Sequence, residues 1–203
     1  GASRVEFVRP VHWVVAMLGE DSAHGEILGL PTGNITRGHR FHSEGPIRLQ
    51  RPEDYVPALA EARVVADFLQ RRDMIRQQVE AEANSLGATA VIDEELLDEV
   101  TGLVEWPVAL TGSFEEQFLE VPAEALVSAM KEHQKYVHVV DAAGALLPNF
   151  ITVSNIESTD PGQVIDGNER VIRPRLADAA FFYDTDRKTP LLQRVEQLAS
   201  IVF

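Results

Sequence analysis

At Pro52 the spacing of apolar residues changes period, and this change constrains the fold more than any other feature of the chain. Before it, His12 to Leu18, Gly25 to Leu30 and Pro46 to Gln50 are short apolar or alternating runs separated by Gly and Pro, the pattern of brief strands joined by turns. After it, Val65, Phe68, Leu69, Ile75, Val79, Ala83 and Leu86 recur at three- and four-residue steps, and Gly87 stands where a helix stops. Asp93, with Glu94 and Glu95 in its first turn, opens a second helix whose Leu96, Leu97, Val100, Leu103 and Val104 share a face.

Strand character returns at Pro107 to Leu110, and a helix is expected from about Pro122 to His133 with Leu126, Val127 and Met130 inward. Tyr136 to Asp141 and Leu146 to Asn155 flank Ala142-Ala143-Gly144 as a hairpin, expected to complete the sheet begun near the N-terminus. Asp160-Pro161-Gly162-Gln163 places an N-cap, a proline at the first helical position and Gln three residues after the cap. The helix it opens carries Val164, Ile165, Val171, Ile172, Leu176, Ala179 and Phe182 along one side, with Pro174 expected to kink or split it, and another helix is expected from Pro190. The reading is α+β: a β-rich core from residues 4–51 and 106–160, a helical insertion over 52–105, and C-terminal helices over 161–203 leading toward a further domain.

A hydrophobic share of 45% with 25% charged residues is that of a folded globular chain, not a disordered one. Cysteine is absent, which removes disulfides, thiolate nucleophiles and zinc ribbons and suits a cytoplasmic location. No apolar run reaches the roughly 20 residues of a membrane span, so no membrane partner is expected. Gly1-Ala2-Ser3, without an initiator Met, reads as a cloning remnant, and the chain as an internal piece of a longer protein.

The net charge of −14 opposes generic nucleic-acid binding, but the charge is unevenly distributed. Pro52 to Glu105 holds thirteen acidic and four basic residues, whereas Ile35 to Arg51 holds four Arg against Glu44 alone. An acidic total can therefore contain a local basic strip.

Three strips could meet a polyanion. Thr36-Arg37-Gly38-His39-Arg40-Phe41-His42 offers Arg37, His39, Arg40 and His42 as phosphate, ribose or base contacts, Phe41 as a stacking ring and Gly38 as a point of close backbone approach. The competing reading is a strand with one solvated charged face, and a metal site at His39 and His42 lacks a third ligand nearby. Lys131, His133, Gln134 and Lys135 cluster at a helix-to-strand junction, where cations also complement the helix dipole. Arg170, Arg173 and Arg175 crowd one helix but cannot share a face unless Pro174 breaks it, and ion pairs to Glu169, Asp178 or the acidic insertion are the alternative. No G-x-S-x-G, H-E-x-x-H or P-loop pattern occurs, so no catalytic residue is assigned.

Six ordered blocks carry a family resemblance: Arg9-Pro10-Val11-His12-Trp13, Thr36 to His42, Glu105-Trp106-Pro107, His133-Gln134-Lys135-Tyr136, Asn155-Ile156-Glu157-Ser158, and Gly167-Asn168-Glu169-Arg170 through Asp178. Together they resemble the β subunit of the bacterial two-subunit glycyl-tRNA synthetase over nearly all of Arg4 to Phe203. One departure is Val137-His138 after Lys135-Tyr136, where many members have Phe-Pro.

The resemblance implies an α2β2 glycine-tRNA ligase, an aminoacyl-tRNA synthetase of protein biosynthesis whose α subunit holds the active site for glycine and ATP. It implies glycine tRNA and the α subunit as partners, with ATP and Mg used by the whole enzyme and no cofactor in this piece. It also implies a mixed β core resembling the editing-module fold of the phenylalanyl-tRNA synthetase β subunit. Three roles compete: tRNA recognition and scaffolding, hydrolytic editing, and an interaction scaffold for the α subunit alone. Because glycine is the smallest amino acid, an active site can exclude larger ones sterically, which weakens the need for editing.

Overall fold

A computed structural model describes residues 11–188, together with Pro190, Leu192 and Val195. The helix expected from Pro190 onward lies outside the described residues as an element.

The N-terminal third is built from short strands: β1 (Val14–Val15), β2 (Met17–Leu18), β3 (Asp21–Ser22), β4 (Glu26–Ile27), β5 (Leu30–Gly33), β6 (Ile35–Arg37) and β7 (Pro46–Arg48). They form three small sheets, β1-β5-β4, β2-β3 and β6-β7, with β1 and β5 parallel and the other pairs antiparallel. A 3-10 turn at Pro52–Asp54 leads into α1 (Tyr55–Glu61), followed by α2 (Phe68–Ser85), β8 (Thr89–Ala90) and α3 (Glu94–Leu103). β9 (Val108–Ser113), a 3-10 turn (Glu116–Glu120), α4 (Ala123–Ser128) and a π-helical turn (Ala129–His133) precede β10 (Val137–Val140), β11 (Leu146–Ser154) and α5 (Pro161–Arg187). The helix starts are fixed by acids: Asp67, Asp93 and Asp160 each accept the backbone N–H three residues on. Gly87, at φ 66°, ends α2 in the left-handed conformation that suits glycine.

The organising layer is a four-stranded antiparallel sheet in the order β8-β10-β11-β9. Side chains alternate across it, so neighbouring residues of one strand feed different cores. On one face, Val137, Val139, Ile151 and Ala109 pack with Ile75, Val79 and Ala83 of α2 and Leu96, Leu97 and Val100 of α3. On the other, Phe150 packs with Phe114, Phe118, Leu126, Met130, Tyr136, Ile172 and Leu176, which joins α4 and α5 to the sheet. Each fully buried Val, Leu, Ile, Met or Phe among them contributes about 1.5–3 kcal/mol. Gly112 lies opposite Phe150 in the register, and a Cβ there would overlap the phenyl ring. The ring in turn stacks on Tyr136 at 4.5 Å between centroids.

The mixed α+β expectation holds, but two of its parts differ. Among the described residues the strands before Pro52 pair only among themselves, so β9, β10 and β11 do not extend a sheet formed by β1 to β7. The fourth strand comes instead from within 52–105: Thr89-Ala90 pairs with β10 through Val139↔Ala90. Two residues carry no period, so nothing in their spacing announces a strand. The expected split at Pro174 is also absent. The helix α5 runs through it, with Ile172 and Leu176, both 0% exposed, held in the core on either side of the proline, while Val171 and Phe182 of the expected inward side are exposed.

Candidate nucleic-acid interface and the junction beneath it

The β6-β7 hairpin carries the Thr36–His42 strip, and the structure splits that strip into a buried half and an exposed half. His39 is 1% exposed and Thr36 2%. The His39 Nδ1 accepts the Phe41 backbone N–H at 3.2 Å, which leaves Nε2 to donate to the Asn155 carbonyl at 2.6 Å. Both ring nitrogens are thus committed, and neither is left for RNA or a metal ion. His42 Nε2 accepts the Glu157 N–H at 3.0 Å, and the two imidazoles lie 4.6 Å apart. The close approach at Gly38 serves the protein itself, since a Cβ there would overlap Ala62 and Ser43.

Asn155 is the centre of this junction. Its side-chain oxygen accepts the N–H groups of Glu105 at 2.6 Å and Trp106 at 3.1 Å, while its backbone carbonyl receives His39. Trp106 Nε1 donates to Glu157 at 3.3 Å; Arg63 pairs with the same carboxylate and lies 4.9 Å from the Trp106 ring centroid. Trp13 Nε1 donates to the Thr36 hydroxyl at 3.3 Å. Four blocks far apart in sequence, containing Trp13, His39, Trp106 and Asn155, therefore meet in one place. The remaining two meet elsewhere, where the Tyr136 hydroxyl donates to Asn168 Oδ1 at 2.6 Å. Burial pushes that phenol up to about 12, so it stays a donor across the physiological range.

Arg37, Arg40 and Phe41 form the exposed half, with Phe41 69% exposed. The Arg40 guanidinium carbon sits 5.7 Å from the Phe41 ring centroid. Among the described residues neither Arg37 nor Arg40 makes an ion pair. Two cavities flank them. One of about 490 Å³ is lined by His12, Trp13, Arg37 and Arg40; the other, of about 700 Å³, by Arg40, Phe41, Tyr55, Arg71 and Glu105 among others. The part played here by His12 and Trp13 was not legible from charge, since neither belongs to the basic strip; only their place in the Arg9–Trp13 block marked them.

Four carboxylates of the acidic insertion, Asp93, Glu94, Asp98 and Glu99, are taken up in ion pairs. Glu94 pairs with Arg72 and Arg76, and Asp98 with Arg72. Lys131 pairs with Asp93 at 2.7 Å and Lys135 with Glu99 at 2.9 Å, so these two lysines of the second strip tie the π-helical turn to α3. Hydrogen bonds from Lys131 and the Leu96 N–H hold the Asp93 carboxyl below its usual range, and the Asp93 bond raises Lys131. His133 is exposed beside them and Gln134 half-buried. On α5, Arg173 pairs with Glu115, which is also lowered, while Glu169 accepts from the Ser113 N–H and hydroxyl. Arg170 and Arg175 are exposed; on a continuous helix they lie about 140° apart, so the three arginines form no common face. Among the described residues only the first strip combines arginines outside ion pairs with an exposed aromatic ring.

The chain belongs to the glycyl-tRNA synthetase β subunit family, whose model matches residues 1–203. It is 64% identical over 203 residues to the glycine–tRNA ligase β subunit of Chromohalobacter salexigens, 62% over 204 residues to that of Hahella chejuensis, and 59% over 205 residues to that of Marinobacter nauticus. Each match covers 100% of this chain but 30% of the relative, so the chain spans under a third of the length of the curated relatives it matches.

Proposed function

We propose that this chain is the tRNA-recognition and scaffold portion of the β subunit of glycine–tRNA ligase, an aminoacyl-tRNA synthetase that acts in the cytoplasm. The subunit assembles with an α subunit as α2β2 and binds glycine tRNA, while the α subunit holds the active site and uses ATP and Mg. The observation that carries this reading is the contrast in charge pairing. Among the described residues Arg37 and Arg40 stand without carboxylate partners, whereas the carboxylates of Asp93, Glu94, Asp98 and Glu99 are taken by Arg72, Arg76, Lys131 and Lys135. The insertion still carries a net charge of −9 from its thirteen acidic and four basic residues, so a polyanion is steered to the hairpin and away from the insertion.

The scaffold half of the proposal rests on the Asn155 junction and on the sheet with helices on both faces, a layout we read as akin to the editing-module fold put to a non-hydrolytic use. The α subunit and the tRNA, on this account, receive a preformed surface. Among the described residues no group of three or more His, Asp or Glu side chains is arranged to hold a metal ion, and the sequence contains no phosphate-cradling motif. Supplied with glycine, ATP and tRNA, this chain should give pyrophosphate exchange at background and should not deacylate mischarged tRNA. Robust exchange would overturn the division of labour between subunits; robust deacylation would favour editing.

A further inference from the structure

The Phe41 ring is 69% exposed, and it stands on a tightly held turn. Here the turn is fixed on every side. The Phe41 N–H is bound by His39, the His42 and Ser43 N–H groups both return to the His39 carbonyl, and the His39 N–H is held by Ala62. The ring is presented, not frayed, and Arg40 lies against it while Arg37 lines the adjoining cavity.

We infer that Phe41 is a stacking platform for one unpaired nucleotide of the bound tRNA. Its base lies over the ring at the mouth of the 700 Å³ cavity, and Arg37 and Arg40 take the flanking phosphates. This rests on the RNA-recognition reading above and narrows it. An aromatic side chain cannot enter the closed stack of an A-form helix, so a ring offered in this way selects a base already splayed out of pairing. The cavity volume suits a single nucleotide. Its wall is rigid, because Arg71 is fixed there by the carbonyls of Thr101 and Val65. Tyr55 supplies a second aromatic edge, and Glu105 a carboxylate that accepts from the amino and imino groups of a base and repels a second phosphate. The base and not the backbone therefore occupies that side.

The test uses the assembled enzyme with glycine tRNA and compares wild type with Phe41→Ala, Phe41→Tyr and Arg37→Ala/Arg40→Ala. Affinity is measured across a salt series, and chemical probing reports which unpaired bases are protected. Phe41→Ala should weaken binding by about tenfold, leave the salt dependence unchanged and expose one unpaired base, while Phe41→Tyr restores both affinity and protection. If Phe41→Ala leaves affinity and protection unchanged while the arginine variant weakens binding, the stacking inference is wrong and the recognition reading survives. If neither variant has an effect, both are wrong. Weaker binding without newly exposed unpaired bases also overturns the stacking role.

Discussion

His39 donates from Nε2 to the carbonyl oxygen of Asn155 across 2.6 Å, joining two positions 116 residues apart in the chain. The bond links the β6-β7 hairpin to the segment leaving β11, and so sets where Arg37, Arg40 and Phe41 stand relative to the main sheet.

Removing either partner should cost stability. His39→Ala deletes a fully buried ring and leaves the Phe41 N–H and Asn155 carbonyl without their partners, an expected loss of about 2–4 kcal/mol. Asn155→Ala strips the acceptor from the Glu105 and Trp106 N–H groups and should cost about 1–3 kcal/mol. Urea denaturation checks both. Midpoints within experimental scatter of wild type would remove the junction from the account.

The helix caps at Asp93 and Asp160 and the stop at Gly87 are local chemistry, and they were readable because cap and first turn lie next to each other. The split within Thr36–His42 was not. Charge and residue type group His39 with Arg37 and Arg40, and only the fold reveals that His39 faces Asn155 while the arginines face solvent. The pairing of Lys131 with Asp93 and of Lys135 with Glu99 was likewise hidden, because contacts across 38 or so residues depend on how α3 meets the π-helical turn. What did survive translation was block order, since four of the six blocks converge on one junction.

His138 predicts a specific acid sensitivity. Burial in β10 lowers its imidazole, so the unfolded chain takes up a proton that the folded chain resists. Stability contributed by the neutral ring is complete above the ordinary value of about 6.5 and is lost as pH falls toward the lowered folded-state value, below which this loss levels off. Urea midpoints measured between about pH 7.5 and pH 5 should therefore fall less for His138→Gln than for wild type. Equal falls in the two proteins would show that His138 does not titrate as described.

At lower pH the carboxylates take over. Asp93 is held down first by the Lys131 hydrogen bond, and Glu94 by Arg76 and then Arg72. Their contribution is present above the ordinary carboxylate range near 4 and is lost as pH falls through the lowered folded-state values. Asp93→Asn preserves the α3 cap but not the charge, so its acid-unfolding limb should be shallower than that of wild type. Lys131→Ala should move the same limb to higher pH and, in the assembled enzyme, leave tRNA affinity within about twofold because that lysine is already paired. A large loss of affinity would put Lys131 in the interface.

The most direct measurement is the salt dependence of tRNA binding by the assembled enzyme, wild type against Arg37→Ala/Arg40→Ala, with thermal melts as control. Both side chains are exposed and, among the described residues, outside any ion pair, so the melts should be unchanged to within about 0.5 kcal/mol. Binding should weaken, and the slope of log affinity against log salt should flatten by up to about one unit for each phosphate the arginines no longer neutralise. Unchanged affinity and slope in a normally folded variant would contradict the account and leave the hairpin as structure alone.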